Sequence, residues 1–222
     1  MRRVHVLVGV AAALLLTGCS DRPNDLVDNR YYQDPESATT SAPPPSTPAP
    51  PPSPAAAPTT QRRAAELDGR AMTAQDLAAE GVQPSGSPTR TVQPTLPDCQ
   101  VPLGDAQSGY QAGWAYPTGS TVRQYLAEYR EKAEDVVAAA RAKITCGTYK
   151  SAGTDVRVSA PVVTDKQVSW CATSSKQSAC TVLEADGPVL SVVVVTATTE
   201  AKAKAAVTRI APLAATALGR NS

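Results

Sequence analysis

Two closely spaced turn signals constrain this chain more than any other feature. Asp186-Gly187 is a strong two-residue hairpin signal, and a turn near Ser175-Lys176 places Cys171 directly opposite Cys180. The first turn sets Leu183 opposite Leu190. Together they put Val168, Trp170, Leu183, Leu190, Val192 and Val194 on one face of a three-stranded meander. A slip of one residue would scatter that face, so the register is well specified. The opposite face carries Cys171, Cys180, Val182, Val193 and Val195, and needs either a covering segment or a partner.

The flanking sequence supplies further elements. Thr73 opens a short helix with Leu77 and Ala78 inward and Gly81 at its end. Val82 to Pro97 reads as loop. Tyr110, Ala112, Trp114 and Tyr116 alternate with Gln111, Gly113 and Ala115, which predicts a strand ending at Pro117. Thr121 and Gln124 form a possible capping box for a long helix. Val122, Tyr125, Leu126, Tyr129, Ala133, Val136, Val137, Ala140 and Ile144 then recur at three- and four-residue steps. Glu128 and Lys132 suit its outer face, and Arg141, Lys143 and Gly147 its end. Val156, Val158 and Ala160 alternate as a strand. Thr199 begins a last helix that buries Ala203, Val207, Ile210, Ala214 and Leu218, with a kink or short break expected at Pro212 and an end at Gly219. The class is α+β: an antiparallel sheet, a meander, with helices packed on one face. It occupies residues 62–219, about 155 residues, enough for one core.

Residues 1–61 are of another kind. Arg2 and Arg3 precede an apolar run, Val4 to Leu16, of about thirteen residues, too short to span ~30 Å of hydrocarbon. Charge and length fit a secretory signal over residues 1–18. Its end, Leu16-Thr17-Gly18-Cys19, resembles the bacterial lipobox. That resemblance implies diacylglyceryl transfer to the Cys19 thiol, cleavage before it and a membrane as the first partner. Residues 19–61 include Pro43-Pro44-Pro45 and Pro50-Pro51-Pro52 among Ala, Ser and Thr. Such a tract cannot bury a core and reads as a disordered tether of polyproline II character. From Asp34 to Thr60 it could reach roughly 80 Å at ~3.1 Å per residue.

Composition excludes several chemistries. The one histidine, His5, lies in the signal, so the mature chain has no imidazole for a Ser-His-Asp or Cys-His site or for a metal. Net charge is +1, and −1 without Arg2 and Arg3, with no basic patch, which argues against nucleic acid as partner. No Gly-rich phosphate loop is present, and no cofactor is expected. Asp155, Asp165, Glu184 and Asp186 flank the strands and read as surface charges at turns rather than as a catalytic pair. Cys99, Cys146, Cys171 and Cys180 are four cysteines in an exported chain without a C-x-x-C pair, which favours disulfides over zinc.

Met72-Thr73-Ala74-Gln75-Asp76-Leu77, Cys99, the Trp114 strand, Cys146, the Trp170-Cys171 strand and a valine-rich strand before a terminal helix come in a familiar order. From about Ala64 to Leu218 the chain resembles the extracellular sensor domain of the mycobacterial kinase PknH and actinobacterial lipoproteins that share it. The resemblance implies an α+β domain with two disulfides and a ligand cleft, and it matches Cys99 and Cys146 with the first bridge. In that family the cysteine like Cys180 pairs with one about where Thr196 and Ala197 stand; here the spare cysteine is Cys171. Hairpin geometry pairs Cys171 with Cys180 and leaves Cys99 for Cys146. The first functional expectation is a lipid-anchored, non-catalytic binding or sensor module for an unknown envelope ligand or protein. Trp114, Tyr116 and Trp170 are its candidate ligand contacts. A wall-associated structural or interaction protein is the alternative, and an enzyme would need paired buried carboxylates or a Ser-Lys dyad.

Overall fold

The computed structural model describes residues 66–164 and 166–220. The lipobox-like Leu16–Cys19, the Pro-rich tether and Asp165 lie outside them. Nine strands form one antiparallel sheet: β1 Gln83–Pro84, β2 Ser108–Ala115, β3 Thr121–Glu128, β4 Thr148–Ser151, β5 Thr154–Val158, β6 Val162–Val163, β7 Gln167–Ser174, β8 Ser178–Asp186 and β9 Val189–Ala197. Their order is β1-β2-β3-β9-β8-β7-β5-β4, with β6 also paired to β7. Two longer helices pack on the sheet, α1 Ala133–Lys143, which precedes the β7–β9 strands it covers, and α2 Glu200–Leu218, which follows them. The expected α+β class holds.

The meander forms as the turns dictate. Cys171 faces Cys180 across β7 and β8, and Val168 faces Leu183. The second turn differs by one position. Leu183 pairs with Val192 rather than Leu190, which instead faces Ala185. Pro188 explains this. A turn centred on Asp186-Gly187 needs the N–H of residue 188 to close it, and proline has none. The loop moves on to Gly187-Pro188, with Gly187 at φ 57, the place where a type II′ hairpin wants glycine. The partner strand slides by two residues, so every side chain keeps its face.

The long helix expected from Thr121 to Ile144 is corrected. Its first third is β3, and only Ala133–Lys143 is helical. Pro117 to Gly119 make a hairpin turn, with Gly119 at φ 86, and Trp114 pairs with Val122. Except at Arg123, β3 is buried on both faces: Val122 packs under α2 and Leu126 against Leu67 and Leu218, while Tyr125 and Ala127 pack with Leu96, Val101 and Leu103. Val122, Gln124 and Leu126 point one way, Tyr125 and Ala127 the other. Two buried faces superpose into spacings that mimic a helical stripe. Gln124 caps nothing; its Oε1 accepts the Met72 N–H at 2.8 Å. The chain leaving β3 is tied to the β8–β9 turn, Tyr129 N–H to Pro188 O and Ala133 N–H to Gly187 O, both 2.9 Å. α1 therefore starts against that turn without a side-chain cap.

Each sheet face receives a helix. α2 lies on Trp114, Val122, Cys180, Val182, Val193 and Val195, burying Ala203, Val207, Ile210 and Ala214. This is the face expected to need a cover, and the terminal helix supplies it. α1 sits on the other face with Leu183, Leu190 and Val192, through Ala133 and Ala140. α2 runs through Pro212 without the expected break. Pro212 is on the exposed side, where water can serve the freed carbonyl. Thr199 caps α2, its Oγ1 accepting the Lys202 N–H at 3.3 Å. Disulfides join Cys99 to Cys146 and Cys171 to Cys180, with Cα–Cα distances of 5.6 and 4.0 Å. Among the described residues no helix is long and apolar enough to cross a membrane.

Candidate ligand-binding site

α1 has only eleven residues, so it covers one end of its sheet face. Beyond it lies a groove of about 460 Å³. Val192, Val194, Ala172, Ala179 and Thr181 form the floor. The loop from Gln93 to Asp98 makes one wall, the β4–β5 hairpin with Tyr149 and Val156 another, and Lys176 and Gln177 of the β7–β8 turn a rim. Alternation along β7, β8 and β9 sends these side chains to the side away from α2.

The Gln93–Asp98 wall is fixed from below. Leu96, Val101 and Leu103 are buried, and Leu96 N–H donates to Val101 O at 2.8 Å. Cys99 and Gln100, both at φ 53, turn the chain so that Cys99 meets Cys146. The Asp98 carboxylate is thereby driven inward, to 6 % exposure. Its Oδ2 accepts the Trp170 Nε1–H at 2.8 Å and its Oδ1 the Tyr149 hydroxyl at 2.7 Å. Burial, then the bond to Asp98, pushes the Tyr149 hydroxyl far above its ordinary range, so it stays a donor at any physiological pH. Farther along, the Tyr125 hydroxyl accepts the Gln93 N–H at 2.9 Å. Gly109 lets the strand pass beneath this loop: a Cβ there would run into the Thr91 carbonyl and lie 2.9 Å from the Val92 Cα.

The site thus has an apolar floor, a hydrogen-bonded wall and two cations, Arg123 and Lys176, that form no ion pair among the described residues. It suits a ligand with an apolar face and an anionic or hydrogen-bond-accepting group. Changing Asp98 to alanine leaves the Trp170 N–H and the Tyr149 hydroxyl buried without an acceptor, and should cost about 2 kcal/mol. Urea unfolding followed at Trp170 checks this; an unchanged midpoint would mean that the wall holds without the carboxylate.

The three aromatic residues singled out from sequence are not brought together. Trp170 lines the groove, 2 % exposed. Trp114 is buried beneath α2 on the opposite face. Tyr116 is on that side too, its hydroxyl donating to Glu80 Oε2 at 2.8 Å. Burial and the Glu80 carboxylate push it up to about 12. Glu80 also takes the Arg209 guanidinium, which holds the carboxyl below its ordinary value. Asp98, Tyr149, Tyr125 and Arg123 went unnoticed: Tyr125 and Arg123 were assigned to a helix, and Asp98 stood out only as the neighbour of Cys99. Of the acids read as surface charges, Asp155 pairs with Lys150 at 2.7 Å and Asp186 with Arg70 at 3.0 Å. Glu184 does not fit that reading. It is buried at 5 % exposure, because Glu184 and Val182 share the face under α2. Among the described residues no group of His, Cys, Asp and Glu is placed to hold a metal ion.

No protein-family model matches the chain, and no curated protein matches it. Among solved structures it is similar to the crystal structure of the extracellular domain of PknH from Mycobacterium tuberculosis. The sequences are 14 % identical, the TM-score is 0.47, and the match covers 67 % of this chain and 90 % of that one.

Proposed function

We propose that this chain is a lipid-anchored extracytoplasmic binding or sensor module of the cell envelope, without catalysis of its own. Cys19 carries the acyl chains, residues 19–61 are the spacer, and the groove beside Trp170 takes the ligand. The observation that carries this reading is the groove itself, open above an apolar floor and walled by a loop that Asp98 and the Cys99–Cys146 bridge hold in place. A preset wall of this kind lowers the ordering cost of binding. The Leu16-Thr17-Gly18-Cys19 ending supports the anchor.

The two tryptophans allow a direct test, since Trp114 is under α2 and Trp170 borders the groove. A Trp114→Phe variant leaves emission to Trp170. Titration with detergent-solubilised envelope lipid, and separately with peptidoglycan fragments, should give a saturable change with one of them, weakened by Arg123→Ala. Silence with both would favour the structural-protein reading. Cys19→Ala should lose both the acyl mass and the cleavage before residue 19, read by mass spectrometry; a variant processed and sized like the wild type would overturn the anchor.

A further inference from the structure

The α2 side of the sheet holds a second hollow. It is a cleft of about 770 Å³ between α2, the sheet and the short edge strand β6. Its middle is apolar: Val162, Val182, Val207, Ala211 and the Cys171–Cys180 bridge. From Cys180 to Glu184 the floor runs roughly 14 Å at ~3.4 Å per residue, so the cleft is a slot rather than a bowl. At its far end stands Glu184. The Oε1 atom of that side chain is fully buried without a hydrogen-bond partner, as is the Oγ of Ser191, its neighbour across the ladder. Leaving one oxygen of a buried carboxyl unserved is expensive, and such groups call for an explanation.

We propose that this cleft binds a single-chain aliphatic carboxylic acid, the chain along the apolar floor and the head group hydrogen-bonded to the Glu184 carboxyl. The cations that share the cleft favour an anionic head, and its other carboxylate, Glu200, is at the end away from Glu184. Lys166 and Lys204 line it, while Glu200 accepts the Thr173 hydroxyl at 2.8 Å. On the strand of Glu184, Asp186 is neutralised by Arg70 from the helical residues 66–70. From α2, the residues at the Glu184 end are Ala211, Pro212 and Ala215, none of which titrates. Burial pushes the Glu184 carboxyl up to about 7, against a smaller opposing pull from Ser191. It therefore keeps its proton in mildly acidic surroundings and can donate to a carboxylate; once ionised it repels one.

Dansylated undecanoic acid is a suitable probe, because its emission rises in an apolar site. The full chain should bind it saturably at about pH 6 and at least roughly tenfold more weakly at about pH 8.5, since only the protonated fraction is competent. Glu184→Gln, which keeps a donor but cannot ionise, should bind equally at both. Ala215→Trp, placed at an exposed helix position, should fill the cleft and abolish binding while the thermal midpoint stays put. Arg123→Ala, in the groove of the other face, should change nothing, which separates this site from the one proposed above. The alcohol of the same chain length should compete at least roughly tenfold worse at about pH 6. Absence of binding at about pH 6, undiminished binding to Ala215→Trp, an unaltered pH response in Glu184→Gln, or equal competition by the alcohol would each overturn the assignment.

Discussion

Replacing Cys99 and Cys146 together by serine should remove about 4 kcal/mol of stability, and the groove wall with it. The bridge spans 47 residues of sequence. Closing so long a loop restricts the unfolded chain far more than it restrains the folded one. By the same relation the Cys171–Cys180 bridge, which spans 9 residues, is worth about 2.6 kcal/mol. It also joins two residues already paired in register, so its loss leaves the sheet intact. The longer bridge has a second consequence. Cys99 follows Asp98 directly, and its left-handed backbone is what turns that carboxylate toward Trp170 and Tyr149. Urea unfolding of the two double variants gives the comparison. The Cys99/Cys146 variant should lose more stability, show the larger slope from its more expanded unfolded state, and shift Trp170 emission toward that of an exposed indole. Equal losses from the two variants would show that loop closure in the unfolded chain is not the main contribution.

The legible parts of this fold were those in which local chemistry and burial agree. The β7–β8–β9 meander has one turn between paired cysteines and one at glycine, so its faces could be read directly. The β8–β9 register lies two residues from the one that Asp186-Gly187 alone implies, because Pro188 has no N–H to close that turn. β3 was misread for a deeper reason. Most of β3 has no solvent face, because α2 covers one side and the loop around Leu96 the other, so Val122, Tyr125, Leu126 and Tyr129 carry no two-residue alternation to betray it. A helix over Thr121–Glu128 keeps Arg123 and Tyr125 off the sheet, and without them the groove has no wall on that side. The site also depends on contacts across long stretches of chain: Asp98 meets Tyr149 and Trp170 only after the loop folds over the sheet. Glu184 misled in another way. Its place beside the Asp186-Gly187 turn suggested a solvated charge, but its parity puts it on the face that α2 covers. The ordinary rule that charges near turns face water failed because that face is buried almost to the end of the strand.

Glu184 should make the ligand-free domain less stable as pH rises, against the habit of most carboxylates. Burial raises its folded pKa to about 7 from 4.5. The folded state therefore holds the proton more tightly than the unfolded one. Its contribution is fully present below about 4.5 and is lost as pH rises through about 7. The shift corresponds to about 3 kcal/mol across that window. Other acids slope the opposite way. Glu80 is held low chiefly by Arg209, and Asp76 is held low because Thr73 and Arg220 outweigh its burial. Both contribute stability that fades as pH falls through their depressed folded values, so the raw pH profile mixes two signs. Subtracting the Glu184→Gln profile removes that background, since glutamine fills the same space and does not titrate. The difference, wild type minus variant, should fall by about 3 kcal/mol between pH 4.5 and about 8 and be flat outside that range. A level difference curve would mean that the carboxylate finds a partner on ionising, and would place the counter-charge of Lys166, next to its ladder partner Gln167, within its reach. A falling curve would instead establish a buried acid that the bare fold stabilises only in its neutral form.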